Sequence, residues 1–176
     1  MMNRFETEEV LRAFVNNVIA DSKADLQSKN ASGKLSDSLK GNVEIFENSI
    51  STTIDAEDYW EYVDQGVSGI KKKYNTPFSY RSKGGKTGLK GMPPPSAFDN
   101  WNIRRGRAGR NEKGQFLNRK QLNFATAVGV FYYGIEPTHF LTGNFDLAFQ
   151  TLPDEVVEAY GLDLEKFIEF TLKTDK

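Results

Sequence analysis

The chain of 176 residues holds one histidine, His139, and no cysteine, so nucleophilic catalysis has little to work with. A catalytic serine or cysteine needs a base within hydrogen-bond reach. His139 stands in the stretch EPTHFL beside apolar neighbours, which reads as a structural or surface histidine. With no thiolate available, His139 and scattered carboxylates make a poor zinc set. The carboxylate pairs Glu57-Asp58 and Asp154-Glu155 are adjacent in sequence. Their side chains therefore diverge on most backbones, and they read as solvated helix starts. Gly84–Thr87 (GGKT) resembles the end of a phosphate-binding loop, but the position where the earlier glycine belongs is Tyr80 and no apolar strand precedes it. The sequence therefore predicts a protein that is not an enzyme, with no catalytic residue, cofactor or metal site.

Charge is the stronger signal. Between Gly66 and Lys120 there are fourteen basic residues, among them Lys71, Lys72, Lys73, Arg81, Lys83, Arg104, Arg105, Arg107 and Arg110, against Asp99 and Glu112. That segment carries about +12, and its flanks, with nine basic and twenty-two acidic residues, carry about −13. A chain divided this way presents two electrostatic faces, and in a homo-oligomer one face can meet the other on a neighbour. Arginines suit planar, bidentate carboxylate pairing better than lysines do. Tyr74, Phe78, Tyr80 and Trp101 are interleaved with the cations. This keeps open a second reading, a nucleic-acid-binding accessory protein using residues 66–120, although no reading helix or RNA-binding signature accompanies it.

The elements that must carry these residues follow from periodicity. Glu6 to about Lys29 predicts an amphipathic helix with Val10, Leu11, Phe14, Val15, Val18, Ile19 and Leu26 on one face and Thr7 as its cap. Asn30–Gly33 is a break, followed by the apolar pair Leu35 and Leu39. Val43–Ile54 alternates with a phase shift near Glu47–Ser49, which predicts one or two antiparallel strands around a bulge or turn. Ala56–Gly66 predicts a helical turn leading into a strand that ends at Gly66. Val67–Met92 is rich in glycine and lysine and predicts a long loop or arm. Pro93-Pro94-Pro95 stops it, and Ser96 is placed to cap a short helix through Phe98, Trp101 and Ile103. Arg104–Gly114 is a second flexible basic stretch. Asn118–Tyr133 predicts a helix with Leu122, Ala125, Val128 and Val130 on a broad apolar side, ended by Gly134. A buried helix or strand follows from Pro137, broken at Pro153. Two short helices, Asp154–Tyr160 and Asp163–Leu172, are expected around Gly161.

With 38% hydrophobic and 27% charged residues, the core is modest for the length and partner chains are expected to cover part of the surface. No stretch is apolar enough for a bilayer span, because Ala125–Ile135 is too short. A soluble protein without a membrane role is expected.

The order of the motifs resembles the tail-component or tail-completion proteins of tailed bacteriophages, the neck proteins between portal and tail. After the first helix comes SGKLSDSL, with Gly33, Leu35 and Leu39; then YWEYVDQG, with Tyr59, Tyr62 and Gly66; then MPPPSAFDNWNIRRG, with Pro94 and Trp101; then GIEPTHFL, with Gly134, Pro137, Phe140 and Leu141. The resemblance runs over about residues 5–150. The insert Val67–Met92 is longer than a compact version needs, and the tail after Pro153 is extra. The resemblance implies an α+β fold with a small antiparallel β-sheet packed against the N-terminal amphipathic helix and further helices. It implies a domain at 1–152 with flexible basic loops at 67–92 and 104–117, and a C-terminal helical extension at 153–176. It also implies a virion protein made in the host cytoplasm. Copies would form a ring of six or twelve at the head–tail connector or tail tube, beside portal, adaptor or tail-tube proteins and in transient contact with genomic DNA.

Overall fold

The computed structural model describes residues 5–29, 33–46, 49–85 and 87–174. Among these the chain is mixed α+β, with seven α-helices, one 3-10 helix and two antiparallel two-stranded sheets. It forms two compact units. One comprises Met1–Ser28, Leu35–Glu57 and Phe140–Lys176, the other Lys29–Lys34 and Asp58–His139.

In the first unit, helix α1 (Phe5–Lys29) buries Phe14, Val15, Val18 and Leu26 at the predicted spacing, with Val10, Leu11 and Ile19 half-buried at the edges of the same face. Thr7 is not its cap. The helix begins at Phe5, and its first N–H groups are received by Asp163 from far along the chain. The break expected at Asn30–Gly33 lies largely outside the described residues, and Gly33 itself has φ 69°. Helix α2 (Lys34–Ser38) buries Leu35, and Leu39 follows it into the core. The Ser38 hydroxyl donates to the Leu35 carbonyl (2.8 Å) and accepts from the Glu57 N–H (3.1 Å). Strands β1 (Lys40–Ile45) and β2 (Ile50–Asp55) form a hairpin with Val43 opposite Thr52 and Gly41 opposite Ile54. Gly41 lies directly on α1, where a Cβ would run into Val15 and Ile19. The Phe46 N–H donates to the Ser49 carbonyl (2.8 Å) at the predicted phase shift; residues 47 and 48 lie outside the described residues.

The same unit contains helix α6 (Thr142–Phe149) and helix α7 (Leu152–Thr174). Phe145 meets Phe14 edge to face at 5.4 Å, and Asn144 donates to Asp25 at 3.2 Å. The expected break comes just before Pro153, because α6 ends at Phe149 and α7 begins at Leu152, with Pro153 in its first turn; the expected pair of short helices around Gly161 does not occur, because α7 runs unbroken through it. Proline in a first turn removes an N–H that has no helical acceptor, and Gly161 weakens a helix interior without ending it. A Cβ at Gly161 meets open space. Gly161→Ala is therefore expected to stabilise the protein by about 0.5–1 kcal/mol, read as a rise in the thermal midpoint.

In the second unit, helix α3 (Trp60–Asp64) is followed by Gly66 at φ 71° and only then by strand β3 (Val67–Ser68). The strand expected to end at Gly66 begins after it, because that left-handed residue turns the chain. A 3-10 helix (Pro95–Phe98) and helix α4 (Asp99–Arg104) come next. Pro94 precedes the first with no side-chain cap, so Ser96 does not serve as one. Helix α5 (Arg119–Tyr133) opens with a capping box in which Asn118 and Gln121 each receive the other's backbone N–H. Its buried stripe is Asn123, Ala127 and Phe131, whereas Ala125 is exposed. Gly134 ends it at φ 79° and starts strand β4 (Gly134–Ile135), which pairs with β3. Among the described residues, no helix is long and apolar enough to cross a membrane.

Candidate interaction surface

The lysine turn is anchored on the end of α5. The N–H groups of Ile70 and Lys71 donate to the carbonyls of Phe131 (3.0 Å) and Tyr132 (2.8 Å), satisfying acceptors that a helix end leaves open. Cations are favoured at that negative helix end. The Lys71 ammonium sits 4.9 Å from the centre of the Tyr132 ring, and Lys72 sits 4.8 Å from that of Tyr74. The Tyr74 side chain first, and Glu136 at 3.7 Å next, hold the Lys72 ammonium above the usual lysine value. Lys73 donates to the Gly69 carbonyl at 2.7 Å. The chain then returns along β3, with Ser68 donating to Phe78 (2.9 Å) and accepting from Tyr80 (2.8 Å) through its backbone. Burial of Tyr80 raises its phenol pKa. Arg81 and Lys83 are exposed beyond this point, where the Lys83 N–H meets the Lys90 carbonyl at 2.6 Å.

The arginines are held by a different anchor. Helices α4 and α5 meet through Asn102, which donates to Asn123 (2.8 Å), and Asn123, which donates to Asp99 (2.8 Å). Both asparagines are buried and paired, as buried amides must be. Arg119 grips Asp99 with two hydrogen bonds of 2.5 and 2.7 Å, and this pairing, then Asn123, holds the Asp99 carboxyl below its ordinary value. On this platform stands Trp101, half-buried and edge-on to Phe98 at 6.4 Å. The Arg107 guanidinium lies 4.1 Å from its ring centre and that of Arg105 5.8 Å. Arg110 lies 4.2 Å from the Phe116 ring and donates to the Gly114 carbonyl at 3.1 Å. Arg104, Arg105, Arg107 and Arg110 are all exposed. Stacking orders a guanidinium from its face and leaves in-plane N–H donors for a carboxylate or a phosphate. Phe116 and Asn123 do not stand out in the sequence, yet they hold the arrangement.

The motif residues fall into two groups. YWEYVDQG and GIEPTHFL come together. Val67 pairs with Ile135 and Ser68 with Gly134, and the N–H groups of Thr138 (3.0 Å) and His139 (2.9 Å) donate to the Asp64 carbonyl. Gly66 lies so close to Ile135 and Pro137 that a Cβ would stand 2.5 Å from a backbone oxygen. Tyr62 packs on Phe78 at 4.4 Å, and Tyr59 is half-buried ahead of α3. Pro94 is exposed at the head of the 3-10 helix. Leu35, Leu39, Phe140 and Leu141 are buried in the other unit.

The division into units sharpens the charge pattern. The unit with Asp58–His139 holds sixteen basic and six acidic residues, a net of about +10. The other holds seven basic and eighteen acidic, about −11. Among the described residues, no group of three His, Cys, Asp or Glu is placed to hold a metal. Comparison with family models, with curated proteins and with solved structures returned no match.

Proposed function

We propose that the chain is a structural protein of a tailed-bacteriophage virion that assembles into a ring at the head–tail connector or tail tube and completes or joins the tail, without catalysis. The observation that carries this reading is the separation of about +10 and −11 into two compact units. A single copy then carries two surfaces of opposite charge, each complementary to one on another copy, as head-to-tail assembly requires. The packing of YWEYVDQG on the first part of GIEPTHFL, around Gly66 and Pro137, adds support, because parts of two of the four motifs that carry the resemblance make one structural element. Portal, adaptor or tail-tube proteins would flank the ring, with DNA passing through it. The exposed arginines favour a second reading, nucleic-acid binding by the basic unit.

Light scattering on the purified protein, with electron microscopy of the same fractions, separates the two. Closed rings at low salt that dissociate as salt screens the charges are the expected result. A monomer that binds DNA, with affinity falling steeply as salt rises, would replace the ring by the second reading.

A further inference from the structure

Helix α7 exposes an apolar stripe that its own unit leaves uncovered. Val157 is 73% exposed, Tyr160 48%, Leu164 41% and Ile168 50%. Their spacing of three, four and four residues puts them on one face of the helix, turned away from the buried Leu152, Ala159 and Asp163. Asp154, Glu158 and Glu165, all exposed, recur at four and seven residues and make an acidic strip along one edge of the stripe. An exposed apolar stripe with a charged rim has the anatomy of a protein contact surface.

The basic unit presents the matching chemistry. Ile103 is 53% and Phe116 66% exposed. Arg104 follows Ile103 in the chain, Arg107 stacks on Trp101, and Arg110 lies over the Phe116 ring. Arg107 and Arg110 are ordered by aromatic faces before any partner arrives, which lowers the entropy lost on pairing with carboxylates.

We infer that α7 of one copy docks on the arginine-bearing turn at 107–116 of a second copy, with Val157, Leu164 and Ile168 against Phe116, and Glu158 and Glu165 against Arg107 and Arg110. The partner is a second copy because both complementary surfaces stand on the same chain, one in each oppositely charged unit. A bare phosphate backbone offers nothing to the apolar stripe and would repel its acidic edge. The contact is heterologous, so each copy has one surface of each kind free to extend or close an assembly. It rests on the ring reading for closure, but not for its own existence.

The test is a charge swap in the full chain. Glu158→Arg with Glu165→Arg makes one variant, and Arg107→Glu with Arg110→Glu makes the other. All four positions are exposed, so both variants should keep the far-UV circular dichroism of the parent. The parent is expected to show a mass above one chain by sedimentation at low salt. Each variant alone should weaken self-association at least tenfold. An equimolar mixture should regain it, because the reversed α7 faces the reversed turn and the native α7 faces the native turn. A parent that stays monomeric across the concentration range, or variants that associate as the parent does, would overturn the inference. Closed rings that survive both variants would overturn it and leave the ring reading standing. Open chains abolished by either variant and restored by mixing would support it and remove the ring.

Discussion

Replacing Asp163 by alanine is expected to destabilise the acidic unit by about 3 kcal/mol near neutral pH. Asp163 sits on α7, 2% exposed, and its two carboxylate oxygens accept the Glu6 N–H (3.0 Å), the Thr7 N–H (3.0 Å) and the Thr7 hydroxyl (2.8 Å). It thus caps the start of α1 from 156 residues away, at the positive end of that helix dipole. Lys166, one turn on, pairs with Glu6 beside it. Alanine would leave the Thr7 donors buried without a partner, and each such loss costs about 1–3 kcal/mol. Asparagine keeps an acceptor but not the charge, so its effect should be smaller.

The same contact sets a pH dependence. Burial alone would push the Asp163 carboxyl up, but the Thr7 N–H and hydroxyl, the Glu6 N–H and the Lys166 ammonium together hold it below the usual range. A carboxyl with a depressed folded pKa stabilises fully above its unfolded value, about 4, and the contribution fades as pH falls through the lower folded value. The gap between parent and Asp163→Ala should therefore be full at pH 7 and close below about pH 4. Urea denaturation followed by far-UV circular dichroism at a series of pH values measures it. A gap that persists unchanged into strong acid would mean that packing, and not the charged cap, links α7 to α1.

That cap also marks the limit of what the chain discloses before folding. Periodicity located α1, the hairpin and α5 because each rests on neighbours a few residues apart. Val15 and Val18 repeat at helical spacing, Ile50–Thr52–Ile54 alternate, and Asn118 precedes its capping partner Gln121 by three positions. Asp163 looks like one more acid on an acidic helix, since its partners lie at the other end of the chain. Thr7 has the side chain of a cap and stands just ahead of the apolar period, yet it lies inside the first turn of the helix. Asn123 reads as a polar interruption of α5, yet it lies on the buried face, because Asn102 and Asp99 complete its hydrogen bonds. The apolar count pointed instead to Ala125, which is exposed. For the candidate surface, the excess of arginine was plain from composition. The rings that order it were only half so. Trp101 stands out, but Phe116 is brought over Arg110 by a local turn, with Arg110 opposite Phe116 as an isolated bridge. Gly161 differs for another reason. It disfavours a helix locally, but the tertiary contacts of α7, Asp163 foremost, outweigh about 1 kcal/mol of glycine propensity.

Gly66→Ala is expected to cost the basic unit about 4 kcal/mol or more, enough to approach loss of its fold when whole domains retain only about 5–15 kcal/mol. Two separate penalties apply. At φ 71° any L side chain is strained, which costs about 1–2 kcal/mol. In addition, an alanine Cβ would stand 2.5 Å from the Ile135 oxygen, 2.6 Å from the Pro137 nitrogen and 2.9 Å from the Pro137 Cδ. The first two are backbone atoms, and Ile135 is paired with Val67 in β3–β4. Relief therefore requires the strands to part, with the hydrogen bonds of Thr138 and His139 to the Asp64 carbonyl at risk as well. Gly88 supplies the control. Its φ is 67°, nearly the same, and a Cβ there meets nothing within 4 Å. Gly88→Ala should lose only the torsional part, about 1 kcal/mol, and the difference between the two variants measures the collision alone. Both tryptophans, Trp60 and Trp101, lie in this unit, so fluorescence during urea unfolding follows it directly. Equal losses would mean that β3 and β4 relax around the added methyl. The glycine of YWEYVDQG would then be required only for its left-handed turn. A much larger loss at Gly66 would mean that this glycine and Pro137 are bound to one another by contact. Two motifs some seventy residues apart would then form one structural constraint, which is why they would have to occur together in any chain that folds this way.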